Sequence, residues 1–135
     1  MAPFETDVFA TPEAITALTE QVLAFLADQQ VDARATHHVA LVVEELVTNL
    51  GSHGNCRDTP ASIRLVVEPS QVTGEIRDSG PPFDPRLAPD PDVDAPIEDR
   101  PIGGLGLYLI RELSSALAYS QEDGRNVTRF AITRS

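Results

Sequence analysis

Val39, Val43, Leu46, Val47 and Leu50 recur at helical spacing, and the same stretch sets Glu45, Asn49 and His53 at steps of four. Steps of four keep side chains on one face of a helix. A helix with such an apolar stripe must bury it against other elements. This commits the chain to a packed core with an acid, an amide and an imidazole close to its seam. A buried polar group left without a partner costs about 1–3 kcal/mol. These side chains therefore need partners, in the protein or in a ligand. Gly51 and Gly54 weaken and end the helix.

The flanking sequence supplies the rest of a domain. Residues 4–9 read as a first strand. Thr11-Pro12 opens a helix over 12–28, with Thr11 as N-cap and Ile15, Leu18, Val22, Phe25 and Leu26 as its apolar stripe. Asp32 caps the helix that carries Asn49. Ile63, Leu65 and Val67, then Val72 and Ile76, alternate with more polar neighbours on either side of Pro69-Ser70. The spacing predicts a hairpin with one buried face. Asp78 shares the parity of Val72 and Ile76 and so points inward. Residues 81–103 hold seven of the eleven prolines and read as a lid rather than a packed element. Gly103-Gly104-Leu105-Gly106 opens a last helix bearing Leu107, Ile110, Leu113 and Leu117. A strand over 126–133 follows an Asp123-Gly124 turn. The expected fold is a single α+β domain over residues 1–135. It is a two-layer α/β sandwich, with a mixed, mostly antiparallel sheet and helices on one face.

Composition excludes several functions. The formal net charge is −11, which is unfavourable for a nucleic-acid binder or an anionic membrane surface. All ten basic residues are arginine. The chain therefore lacks the lysine of a Walker phosphate loop, of Schiff-base chemistry and of the eukaryotic protein-kinase arrangement. Cys56 is the single cysteine; it rules out an internal disulfide and suggests a free thiol in a reducing compartment. The N-terminus lacks a signal-peptide pattern, and no apolar run approaches the roughly 20 residues of a membrane span. The expectation is a cytoplasmic protein.

Three segments carry candidate chemistry. The amide oxygen of Asn49 is a hard, neutral donor suited to Mg²⁺, which takes few protein ligands. Glu45, one turn earlier, can orient or deprotonate a hydroxyl or water. It is preferred to the adjacent Glu44 because only Glu45 lies four residues before Asn49. The alternative is an exposed Glu45 and an Asn49 that caps a loop. Asp78 at a strand end can accept a hydrogen bond from an adenine amino group, and Gly80 would let the base approach closely. Asp-x-Gly is also an ordinary turn. Thr128, inward by parity with Phe130 and Ile132, could support that carboxylate directly or through water, or simply fill the core. Gly104, Leu105 and Gly106 at a helix start would offer N–H groups to phosphates, or serve as a hinge. His37 and His38 lack metal spacing and read as surface or cap residues.

In this order the segments resemble those of the GHKL (histidine-kinase-like, Bergerat-fold) ATPase superfamily. Residues 45–54 are similar to its N-box. Asp78-Ser79-Gly80-Pro81-Pro82-Phe83-Asp84-Pro85 is similar to its first glycine box, and Gly104-Leu105-Gly106-Leu107 to its second. Asn49-x-x-x-His53-Gly54, the Pro82-Phe83-Asp84-Pro85 run and Asp123-Gly124-Arg125-Asn126 resemble the anti-sigma-factor serine/threonine kinases in particular. The resemblance covers about residues 4–134. It implies ATP and Mg²⁺ as cofactors, Asn49 as the metal ligand and Glu45 as catalytic base. It also implies Asp78 and Gly80 on the adenine, Gly104, Leu105 and Gly106 on the phosphates, and Thr128 behind the base. It implies a sigma factor and an anti-anti-sigma (STAS) protein as partners, the latter phosphorylated on serine, and a homodimer. Pro82 stands where the family's second glycine usually stands, and Val127-Thr128 where it has Gly-Thr. An ATP-binding switch with little or no kinase turnover is the alternative function. A detached histidine-kinase domain would need a phosphoacceptor histidine on a separate dimerising helix, whereas His37 and His38 lie on the helix leading into the N-box.

Overall fold

The computed structural model describes residues 2–53, 59–87 and 104–135, with the side chains of residues 52, 53, 104 and 105 left aside. The expectations for most of the lid (88–103), for Gly54 and Cys56, and for the His53 side chain lie outside these residues.

The first strand, β1, is Phe4–Val8. Helix α1 spans Pro12–Asp28, and the Thr11 hydroxyl accepts its Ala14 N–H at 3.3 Å. Helix α2 spans Ala33–His53. Its first turn is capped by Asp32, whose Oδ2 accepts from Ala35 N and whose Oδ1 accepts from Ser135 N, both at 3.0 Å. The bonds from the Ala35 and Ser135 amides hold the Asp32 carboxyl below its usual value. The cap thus ties the chain's end to the helix that carries Glu45 and Asn49.

Strands β2 (Ala61–Val67) and β3 (Gln71–Asp78) form the expected hairpin, closed by Glu68 N donating to Gln71 O at 2.8 Å. Helix α3 spans Gly104–Leu113, and strands β4 (Ala116–Glu122) and β5 (Arg125–Thr133) complete the chain. The sheet order is β1-β2-β3-β5-β4, and every pairing is antiparallel rather than mixed. All three helices are packed by the inward parity set. Val8, Ile63, Leu65, Val72, Ile76, Phe130 and Ile132 are buried together with Leu18, Val22, Val39, Val43, Val47 and Ile110. Each large aliphatic side chain buried this way contributes about 1.5–3 kcal/mol. The opposite face carries the ion pairs Arg64–Glu5, Arg77–Glu75, Arg129–Glu75 and Arg129–Glu122.

One element departs from the sequence reading. Leu117 lies on β4, not on the last helix. Four residues after Leu113, it fits the helical stripe by spacing. The helix nevertheless ends at Leu113, and Ser115 gives both its N–H and its hydroxyl to Ala131 O. That bond turns the chain into the sheet, where Leu117 pairs with Phe130 and still reaches the core. Asp123 (φ 55°) and Gly124 (φ 76°) make the two-residue turn that joins β4 to β5.

Candidate functional site

The inward ends of α2, β3, β5 and α3 meet at one cleft. Asn49, Asp78, Phe83, Leu107, Asn126 and Thr128 are among its lining residues. The cleft has about 20 Å³ of room, enough for a water but not for a purine. Its outer wall is the stretch through Pro81, Phe83 and Pro85, the last opening a short 3-10 turn to Leu87. Asp84 fixes that turn by accepting Arg86 N and by pairing with the Arg86 guanidinium at 2.6 Å, which holds the Asp84 carboxyl below its usual value. Hollows of about 440 and 450 Å³ lie on the outer face of the sheet. They are larger, but neither contains a candidate site residue; their arginines and glutamates are engaged in the ion pairs above, and Asp7 accepts from the Ser62 hydroxyl at 3.0 Å.

Helix α2 presents Asn49, 6% exposed, into the cleft. Its Nδ2 donates to Glu45 O at 2.9 Å, back onto its own helix. The amide is therefore oriented with Nδ2 satisfied, and no described residue donates to Oδ1. It does not cap a neighbouring loop. Glu45 is half-buried while Glu44 is exposed, which separates the two acids as the spacing predicts. Burial, and then the charge of Glu44, push the Glu45 carboxyl above its usual value of 4.5.

Helix α3 packs against α2, and Gly106 sits directly against the Glu45 carboxylate. A Cβ at position 106 would overlap Glu45 Oε2. The atom that must give way is the end of a flexible side chain. Gly106→Ala is therefore expected to leave the thermal midpoint nearly unchanged while displacing the carboxylate. If Glu45 is the base, a displacement of about 1 Å lowers phosphoryl transfer by about 100-fold. Thermal melts and transfer rates measured side by side check both halves. Gly104 and Leu105 form the first turn of α3, where N–H groups without helical partners favour an anion.

Asp78 ends β3 and is 3% exposed. Its Oδ1 accepts from Gly80 N at 2.9 Å, so Gly80 lies in the turn that the carboxylate itself closes. Its second donor is Asn126, from Nδ2 at 3.0 Å. Thr128, 8% exposed, lines the cleft but makes no direct bond to Asp78. Asn126 takes that place. Its inward parity with Thr128, Phe130 and Ile132 was the available signal, since Asn126 is the direct cross-strand neighbour of Asp78. Among the described residues, no three His, Cys, Asp or Glu side chains are placed to hold a metal. A Mg²⁺ ion here would rest on the Asn49 oxygen with phosphate oxygens and water, as this ion commonly does.

An amide oxygen and a half-buried acid on one helix, a buried acid on a strand end and a glycine-led helix start are the groups that a nucleotide-binding ATPase-type domain would use. The chain belongs to the histidine kinase-like ATPase domain family, whose sequence profile matches residues 8–132. It is 33% identical over 96 residues to the serine/threonine-protein kinase BtrW of Bordetella bronchiseptica, covering 70% of this chain and 68% of that protein. Its fold is similar to the RsbU and RsbW domains of Rv1364c from Mycobacterium tuberculosis, with TM-score 0.71 and 16% identity. That alignment covers all of this chain and 33% of the larger protein. The SiaB–SiaC complex structure from Pseudomonas aeruginosa contains a similar chain, with TM-score 0.61, 16% identity, and 96% and 89% coverage.

Proposed function

We propose that this protein is an ATP-dependent serine/threonine protein kinase that acts as an anti-sigma regulatory factor and phosphorylates a serine of a STAS partner. One observation carries the reading. Glu45, Asn49, Asp78, Gly106 and Thr128, far apart in sequence, converge on one cleft and the helix pair beside it. The kinase relative BtrW supports the choice of reaction.

The donor set suits the nucleotide. Asp78 offers an acceptor to the adenine amino group, with Gly80 beside it and Thr128 behind. Asn49 offers the one hard oxygen the cation needs. The first turn of α3, from Gly104 through Leu105 to Gly106, would offer its N–H groups to the phosphates. Mg²⁺, when bound, neutralises phosphate charge as transfer proceeds. Glu45 accepts the proton of the serine hydroxyl as its oxygen bonds to the γ-phosphorus and the bond to ADP breaks. Such transfer depends on positioning and electrostatics rather than on covalent chemistry by the protein. Because the cleft is narrower than a purine, nucleotide entry goes with retreat of the Phe83 wall.

The carboxylate's environment sets a pH dependence. Only ionised Glu45 can take a proton, so transfer rises with pH through a value above 4.5. Glu44→Gln removes the smaller of the two causes. It is expected to move that acidic limb downward without bringing it to 4.5, because burial remains. A pH–rate profile of both proteins checks this.

A sigma factor as second partner, a homodimer and a cytoplasmic location belong to this reading. None of the helices among the described residues is long and apolar enough to cross a membrane. Pro82, which lacks an N–H, favours the second reading, an ATP-gated switch with little turnover. The test is transfer of label from γ-labelled ATP to a STAS protein. Label on serine supports the kinase. ATP binding with no label on any STAS partner supports the switch.

A further inference from the structure

Asn126, the second residue of β5, lies directly across from Asp78 and is itself only 3% exposed. Its two amide hydrogens are shared among three acceptors: Asp78 Oδ1 at 3.0 Å, Gly80 O at 3.0 Å and Pro81 O at 3.1 Å. Its Oδ1 accepts from Tyr119 Oη at 2.5 Å and Gln121 Nε2 at 3.4 Å. The three oxygens around Nδ2 fix the amide's orientation, because reversing it would set its own oxygen against all three. It therefore joins β4, β5 and the turn after β3 at a single point.

We propose that Asn126, held by Tyr119, is a positioning residue that sets nucleobase selectivity by fixing the Asp78 carboxylate. The inference rests on the nucleotide reading above. Both donors to Asp78, Gly80 N and Asn126 Nδ2, reach Oδ1, and no described residue donates to Oδ2. The carboxylate is held by one oxygen and keeps the other as a bare acceptor. A fixed acceptor selects a purine with a 6-amino group over one with a 6-oxo group, because two opposed acceptors form no bond and leave both groups unpaired. Only a carboxamide meets the demands on position 126. It must donate to Asp78 and to two carbonyls at one end, and accept from a phenol at the other. A carboxylate at 126 could not donate, and an apolar side chain could do neither. Tyr119 acts from further away: its hydroxyl fixes the amide that fixes the acid.

The experiment compares Mg²⁺-ATP with Mg²⁺-inosine triphosphate, which differs at purine position 6, by calorimetry on the full chain. Wild type is expected to prefer ATP by about tenfold or more, the size of one well-made hydrogen bond. Asn126→Ala is expected to erase most of that preference by weakening ATP while inosine triphosphate affinity stays within about twofold. Tyr119→Phe is expected to reduce the preference partly, with its nucleotide-free melting unchanged. Should Asn126→Ala fail to fold, Tyr119→Phe carries the test. Equal loss of affinity for both nucleotides, with the ratio kept, overturns the proposal and leaves Asn126 a structural residue. A wild type that binds ATP without preferring it, or does not bind it, overturns the proposal together with the adenine role of Asp78. The wild-type measurement alone separates these two failures.

Discussion

Glu45→Gln is expected to lower phosphoryl transfer to a STAS serine by about 10²–10⁴-fold, the usual range for removing a general base. ATP affinity should not fall, because Glu45 is not a lining residue of the cleft beside Asp78 and, lying against Gly106, it loses only a negative charge near the proposed phosphate turn. The fold should not suffer. Its carboxyl is held above the usual value by burial and by Glu44, so the ionised form is disfavoured in the folded state. A neutral amide of the same shape removes that penalty, and the melting temperature of Glu45→Gln at pH 7 should equal or exceed that of wild type. Loss of rate with undiminished stability and binding is the pattern of a catalytic group. A variant that transfers phosphate at the wild-type rate would remove Glu45 from the reaction.

Asp78→Ala is expected to abolish nucleotide-dependent stabilisation. At about 100 times its Kd, a ligand adds roughly 2.7 kcal/mol to the stability of the protein that binds it. With affinity reduced about 100-fold at the same concentration, that gain falls to about 0.4 kcal/mol. The substitution also strips Gly80 N of its acceptor and Asn126 Nδ2 of one of its three, and a buried donor left unpaired costs about 1–3 kcal/mol. The nucleotide-free protein should therefore melt earlier. Asp78→Asn keeps an oxygen for those donors and should recover much of the stability without recovering ATP binding. Thermal melts of the three proteins with and without Mg²⁺-ATP distinguish the two effects.

Most of the architecture could be read from periodicity because helices and half-buried strands leave different patterns. The Thr11-Pro12 start, the α2 stripe and the alternation through Ile63 and Ile76 all appear as elements with the expected faces. Strand β4 was hidden because Leu117 satisfies two patterns at once. It stands four residues after Leu113 and also pairs inward with Phe130. Only the Ser115 bonds to Ala131 O, which are long-range, decide between them. The all-antiparallel pairing was likewise beyond local pattern, since alternation fixes a strand's face but not its neighbour's direction.

The site was legible where chemistry and parity coincide. Asp78 is an acid at an inward position, Asn49 an amide one turn from an acid, and both line the cleft. Glu45 was separable from Glu44 by spacing alone, and its half-buried placement agrees. In the sequence Asn126 stands out only within the Asp123-Gly124-Arg125-Asn126 run, although its parity is as plain as that of Thr128. What concealed its part is cross-strand register: that Asn126 faces Asp78, and not another residue of β3, follows from the β3–β5 pairing. In the sequence, its place at a helix start gives Gly106 only the part of a phosphate contact. Its closeness to Glu45 depends on how α3 lies against α2, which no spacing within either helix reveals.

The most direct test of the nucleotide cleft is a crystal structure of the protein with Mg²⁺ and a non-hydrolysable ATP analogue. The adenine amino group is expected on Asp78 Oδ2, the cation on Asn49 Oδ1 and the phosphates at the first turn of α3, with the Phe83 wall drawn back. A nucleotide bound elsewhere, such as on the outer sheet face, or a cleft unchanged at saturating analogue, would contradict the account.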